Sequence, residues 1–197
     1  MFLLELHHGL LAESFELQTA QHSGWRLVTP CDGDLPEYDK QGGKVLYKLG
    51  DIAPICPILR EAGDLHAPKY EEFIRLLMKM FSTAQSGQNW PDVMYDQVHE
   101  VGRVNVRGIS GKIENYVIIQ FGKKKNLIRV LAFISAFGRK RAFISHVFEK
   151  PANSKTTPKK EIVRAQNNLQ EYLNAIEAKN IQLISAQGGK NEFLKMV

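Results

Sequence analysis

Residues 116–148 decide the fold: YVIIQF (116–121), GKKKN (122–126), LIRVLAFISAF (127–137), GRKR (138–141) and AFISHVF (142–148). The three apolar runs are rich in β-branched and aromatic residues, and each break between them opens with glycine. That pattern predicts strands over Tyr116–Phe121, Leu127–Phe137 and Ala142–Phe148, joined by tight turns at 122–126 and 138–140. Two short connections in succession imply an antiparallel meander.

Helical spacing flanks these strands. Phe73, Ile74, Leu77, Met78 and Phe81 recur on one helical face after Pro68, with Glu71 and Glu72 in the first turn, where the helix dipole favours acids. A shorter helix is expected from Pro91 to about Val101. Beyond the strands, Thr157-Pro158 reads as an N-cap followed by a first helical residue. Ile162, Ala165, Leu169, Leu173 and Ile176 then mark an apolar face, with Lys159, Lys160 and Arg164 on the other. A last strand is expected at Ile181–Ser185. The order predicts a small α+β domain whose helices cover one face of a meander sheet and leave the opposite face to a ligand.

The first sixty residues are less legible. Met1–His7, Trp25–Thr29 and Val45–Leu49 suit strands, Leu10–Ala20 suits a short helix, and Pro30–Gly43 reads as a loop. Pro54 and Pro57 argue for irregular chain between them. Three segments follow: an N-terminal extension (1–66), the meander domain (67–180) and a C-terminal strand and tail (181–197).

With 197 residues, 44% of them hydrophobic, the chain is sized for one core with an elaboration. The opening Met1–Leu4 lacks a basic leader and a small-residue cleavage site, and no run reaches the ~18 apolar residues of a membrane span. A soluble, cytoplasmic protein is expected. Cys31 and Cys56 fit no zinc spacing and read as two reduced thiols.

Charge is divided along the chain. Residues 1–100 hold 8 Lys/Arg against 15 Asp/Glu, whereas residues 101–197 hold 18 against 6, so a net of −7 precedes a net of +12. A basic half of this kind is the footprint of a polyanion-binding surface, and a solvated charged face is the alternative. The acidic half could lie over the basic one and restrain it, or serve as a docking extension. Acids in the basic half form no close group, so a Mg²⁺ nuclease does not fit, and no metal or other cofactor is expected.

The stretch His146-Val-Phe148-Glu-Lys150, followed by Lys155-Thr-Thr-Pro158-Lys-Lys-Glu161-Ile162 and Glu171-Tyr172-Leu173, resembles the signature of phage-derived HigB-like toxins of the RelE/ParE superfamily. Leu127-Ile-Arg129-Val-Leu-Ala-Phe133 looks like that family's Arg-bearing strand. Together the matches cover roughly residues 70–178. The chain departs from the pattern in four places. Ile118-Ile119-Gln120 stands where the family carries Glu-Leu-Arg, Pro151 replaces the second lysine of a pair, an extra pair of residues sits before Lys155, and the N-terminal residues have no counterpart.

The resemblance implies a RelE-like fold and the toxin of a two-gene toxin–antitoxin system, which inhibits translation by ribosome-dependent, metal-independent cleavage of mRNA. It also implies a cognate antitoxin, a small helix-turn-helix protein, beside mRNA and the ribosome as partners. Two alternatives stand: a non-cleaving toxin that acts on DNA gyrase, and a nucleic-acid-binding module without activity.

Metal-free RNA cleavage turns the 2′-hydroxyl onto the neighbouring phosphate, which demands in-line positioning, charge neutralisation and two proton transfers. Arg129 is the candidate for the scissile phosphate, because its guanidinium fork can hold two phosphoryl oxygens; a plain surface arginine is the alternative. His146 is the candidate acid or base, or else a core histidine. Lys150 sits at a basic position of the family and is the candidate for transition-state charge. Lys123, Lys124, Lys125, Arg139, Lys140, Arg141 and Lys155 are candidate RNA contacts, or else solvated charge. Phe148 is read as core rather than as a base-stacking platform.

Overall fold

The computed structural model describes residues 1–6, 26–33, 53–86, 97–122, 127–134, 141–185 and 192–193. Strands β3 (Val98–Arg107), β4 (Ile113–Phe121), β5 (Ile128–Ile134) and β6 (Arg141–Glu149) form an antiparallel meander. The expected three strands are therefore joined by a fourth. Residues 98–101, assigned to a helix by their sequence, open β3 instead. The Val104–Val106 alternation of that strand, buried inward and exposed outward, is a period-two pattern that overrides local helix preference.

The sheet continues past the meander. Strands β1 (Phe2–Leu6), β2 (Arg26–Cys31), β7 (Gln182–Ser185) and β8 (Glu192–Phe193) extend it to eight strands in the order β3-β4-β5-β6-β2-β1-β7-β8. It is mixed: β2 runs parallel to β6 and β1 parallel to β7, with the remaining pairs antiparallel. Segment 1–66 thus supplies two inner strands of the same sheet that carries the meander.

Helices cover both faces. On the first lie α1 (Pro57–Gly63) and α2 (Ala67–Ser86), which bury Ile58, Leu59, Phe73, Leu77 and Met80 against Leu27, Ile128, Val130 and Ile144. On the second lies α3 (Lys159–Glu177), with Ala165, Leu169, Tyr172 and Leu173 against Leu131, Phe133 and Phe143. Phe143 and Tyr172 stack with centroids 4.6 Å apart. The face expected to stay free is therefore largely covered by α3. Two-sided burial explains why β5 reads as an almost unbroken apolar run: Val130 and Ala132 face α1 and α2, while Leu131 and Phe133 face α3. Each fully buried side chain of this size stabilises the fold by about 1.5–3 kcal/mol.

Helix α1 is absent from the sequence reading because Pro57 looks like a breaker. It occupies the first turn, where proline's missing N–H costs nothing. Helix α3 begins at Lys159, after Pro158 in the capping position, and Thr157 does not cap it. The expected segments Leu10–Ala20 and Val45–Leu49 and the turns at 123–126 and 138–140 lie outside the described residues.

Candidate nucleic-acid interface

A β-bulge in β6 organises the polar side chains near the N-terminal end of α3. Leu131 pairs with His146 but Ala132 pairs with Ile144, so Ser145 is the extra residue. Ser145 and His146 both meet α3 as a result. Asn168 Nδ2 donates to Ser145 Oγ at 2.9 Å, and His146 Nε2 lies 3.2 Å from Glu161 Oε2, outside hydrogen-bonding geometry. His146 Nδ1 sits 2.9 Å from Ser145 Oγ. Burial, with Arg164 nearby, pushes the imidazole down to about 3. His146 is only 1% exposed and neutral near physiological pH. The structure places it in the interior, as in the core-histidine reading, and does not bring it to a ligand-accessible surface. Phe148 joins the core beside it.

Just beyond the start of α3 the sheet opens into a cleft of about 840 Å³. Its floor is the end of β4 and the start of β5, and the loop 150–157 forms one wall. Arg129, Lys150 and Lys155 line it, together with His99, Gln120 and Thr157.

Arg129 holds its position through two local features. Its Nη1 donates to the Ile128 carbonyl at 2.8 Å, and its side chain crosses Gly122, the residue that continues β4. A Cβ at Gly122 would lie 2.9 Å from Arg129 Cδ and would collide with the Ile128 carbonyl, and the backbone there has φ +141°. Only glycine leaves room for the arginine to lie flat at this point. Burial lowers the guanidinium's pKa, and Glu72 on α2 partly offsets that.

Lys150 follows β6. Its backbone N–H donates to Leu127 O at 2.7 Å and its Nζ to Lys155 O at 3.2 Å, so the loop folds back over the cleft. Burial and the Arg129 charge both lower the ammonium pKa. Two cations from neighbouring strands thus stand close enough to repel each other, and an anion between them would relieve that repulsion.

Gln120, where the resembling family carries arginine, does not leave a hole. Its Oε1 accepts a hydrogen bond from Thr157 Oγ1 at 2.7 Å, which ties β4 to the loop that leads into α3. Thr157, read as a helix cap, is a strut for the cleft instead.

Of the other expected contacts, Lys155 is exposed on the cleft wall. Arg141 is the first residue of β6, in register with Arg26, about 30 Å of strand from Lys150. It belongs to the opposite end of the sheet. Lys123, Lys124, Lys125, Arg139 and Lys140 lie outside the described residues. His99 was missed by sequence reasoning because residues 91–101 were assigned to a helix. A bulge between Glu100 and Gly102 interrupts the alternation, so no period-two run reaches His99 in the sequence.

No family model, curated protein or solved structure matches the chain. Among the described residues no three His, Cys, Asp or Glu side chains gather as a metal site, and no helix is long and apolar enough to cross a membrane.

Proposed function

We infer that the chain is an RNA-directed toxin of the RelE/HigB kind, which acts in the cytoplasm on translated mRNA and is held in check by a cognate antitoxin. The observation that carries this reading is the pairing of Arg129 and Lys150 in one cleft of the basic half, partly desolvated and mutually repelling. Cations preorganised in this way favour a phosphodiester and, still more, the extra negative charge of a pentacoordinate phosphorus. Helix α3 starts beside the same cleft, and its dipole adds positive potential there.

Within this reading Arg129 grips the non-bridging oxygens and Lys150 approaches the leaving oxygen. Lys155, on the exposed wall, follows the adjoining backbone. The alternative of binding without cleavage draws on two features: Gln120 supplies no charge and His146 is sealed in the core.

Brief induction in bacteria, followed by mapping of new mRNA 5′ ends, tests the proposal. New ends inside translated reading frames are expected. A folded Arg129→Ala protein should reduce them by about 10²-fold or more, the usual effect of removing one transition-state donor. Growth arrest with intact transcripts would discard the nuclease in favour of gyrase or of binding alone.

A further inference from the structure

The geometry points to His99 as the residue that accepts the 2′-hydroxyl proton in this cleft, with Lys150 as its partner at the leaving oxygen. The inference rests on the RNA-cleaving reading and deepens it.

The meander carries two histidines in one cross-strand row. His99 on β3 pairs with Gln120 on β4, Gln120 with Leu131 on β5, and Leu131 with His146 on β6. Side chains in such a row project from the same face of the sheet, here the face that carries α3. The helix closes over the His146 end through Glu161 and Asn168, while Thr157 covers Gln120. The His99 end emerges beyond that cover, exposed and on the cleft wall. One row therefore holds an imidazole sealed from ligands and another open to them.

Position suits the role. Strand β3 lies two strands from β5, or about 10 Å, so side chains of His99 and Arg129 reach inward from opposite sides of a gap of nucleotide size. The carboxylate beside it, Glu100, is engaged by Arg103 Nε at 2.9 Å. The remaining ionisable groups of the cleft, Arg129, Lys150 and Lys155, are cations. Imidazole is the side chain whose ordinary range brackets neutrality, so it is the group there able to take up a proton and return it.

The step balances without a co-reactant. The 2′-oxygen bonds to phosphorus as its proton passes to His99. The P–O5′ bond breaks and the leaving oxygen takes a proton from the Lys150 ammonium. A 2′,3′-cyclic phosphate and a 5′-hydroxyl result, and water restores both side chains.

The test uses the full chain, added to bacterial ribosomes translating a defined mRNA, with cleavage rates followed from pH 5.5 to 8.5 and RNA retention on filters measured in parallel. His99→Gln should slow cleavage by 10²-fold or more with retention unchanged, and should erase the rising limb of the wild-type pH–rate profile. His99→Asn, a second amide variant, should behave alike. If wild-type protein cuts and Arg129→Ala does not, while both His99 variants cut at the wild-type rate with the same profile, His99 is not the base. If wild-type protein leaves the mRNA intact, the RNA-cleaving reading itself fails and His99 falls with it.

Discussion

A histidine in a strand can be a catalyst or a piece of the core, and the residues above it decide which. His146 lies under Glu161 and Arg164 of α3, with Ser145 at its Nδ1, and Arg164 itself reaches across to pair with Glu61 of α1. Its folded pKa of about 3 stands below the ordinary 6.5. The unfolded chain therefore binds the extra proton between those values. Its contribution to stability is fully present above pH 6.5 and is lost as pH falls toward 3. Urea unfolding at pH 7.5 and 5.5 should show a loss of about 1.4 kcal/mol from this group. His146→Asn should remove that part of the slope; an unchanged slope would mean the imidazole takes up its proton equally in the folded and unfolded chain.

Elements were legible where one period governs a whole segment. The meander and helices α2 and α3 follow from apolar spacing, and so does β7. Helix α1 was hidden because a proline at a helix start and a proline in a loop look alike in sequence. The start of strand β3 was hidden because a bulge between Glu100 and Gly102 breaks the alternation and leaves His99 and Glu100 exposed in succession. The cleft shows the same division. Arg129 and Lys150 were legible from motif position, whereas His99, the Thr157–Gln120 strut and the flat path over Gly122 depend on strand register, which no local window reveals.

Strand β3 also illustrates how an edge is managed. Gln170 of α3 accepts from the Arg107 N–H at 2.8 Å and donates to the Arg107 carbonyl at 3.0 Å, while Gln166 donates to Asn105 O at 3.1 Å. Two glutamines thus occupy backbone groups that another strand would seek. Gln170→Ala should lower stability by about 1 kcal/mol in urea titration and promote self-association in sedimentation at high concentration. A variant that stays monomeric with an unshifted midpoint would show that the glutamines merely decorate the edge.

At the scale of the whole molecule the sheet is closed by segments far apart in the chain. Strands β2 and β1 sit between β6 and β7, and the Met1 ammonium donates to Asn180 O at 2.7 Å. Both apolar faces pass through this junction: Leu4 belongs to the α1/α2 side and Leu3 to the α3 side. A chain ending at Ala178 should therefore lose its cooperative urea transition, because β1 keeps only one neighbour. A sharp transition with native circular dichroism would refute that.

The β1–β7 pairing also sets a timetable for synthesis. Once made, strand β1 meets its parallel partner only after the ribosome has read some 180 further codons, on the order of ten to forty seconds at ordinary elongation speeds. Until then Leu3 and Leu4 lack part of their cover, and the nascent protein stays incomplete.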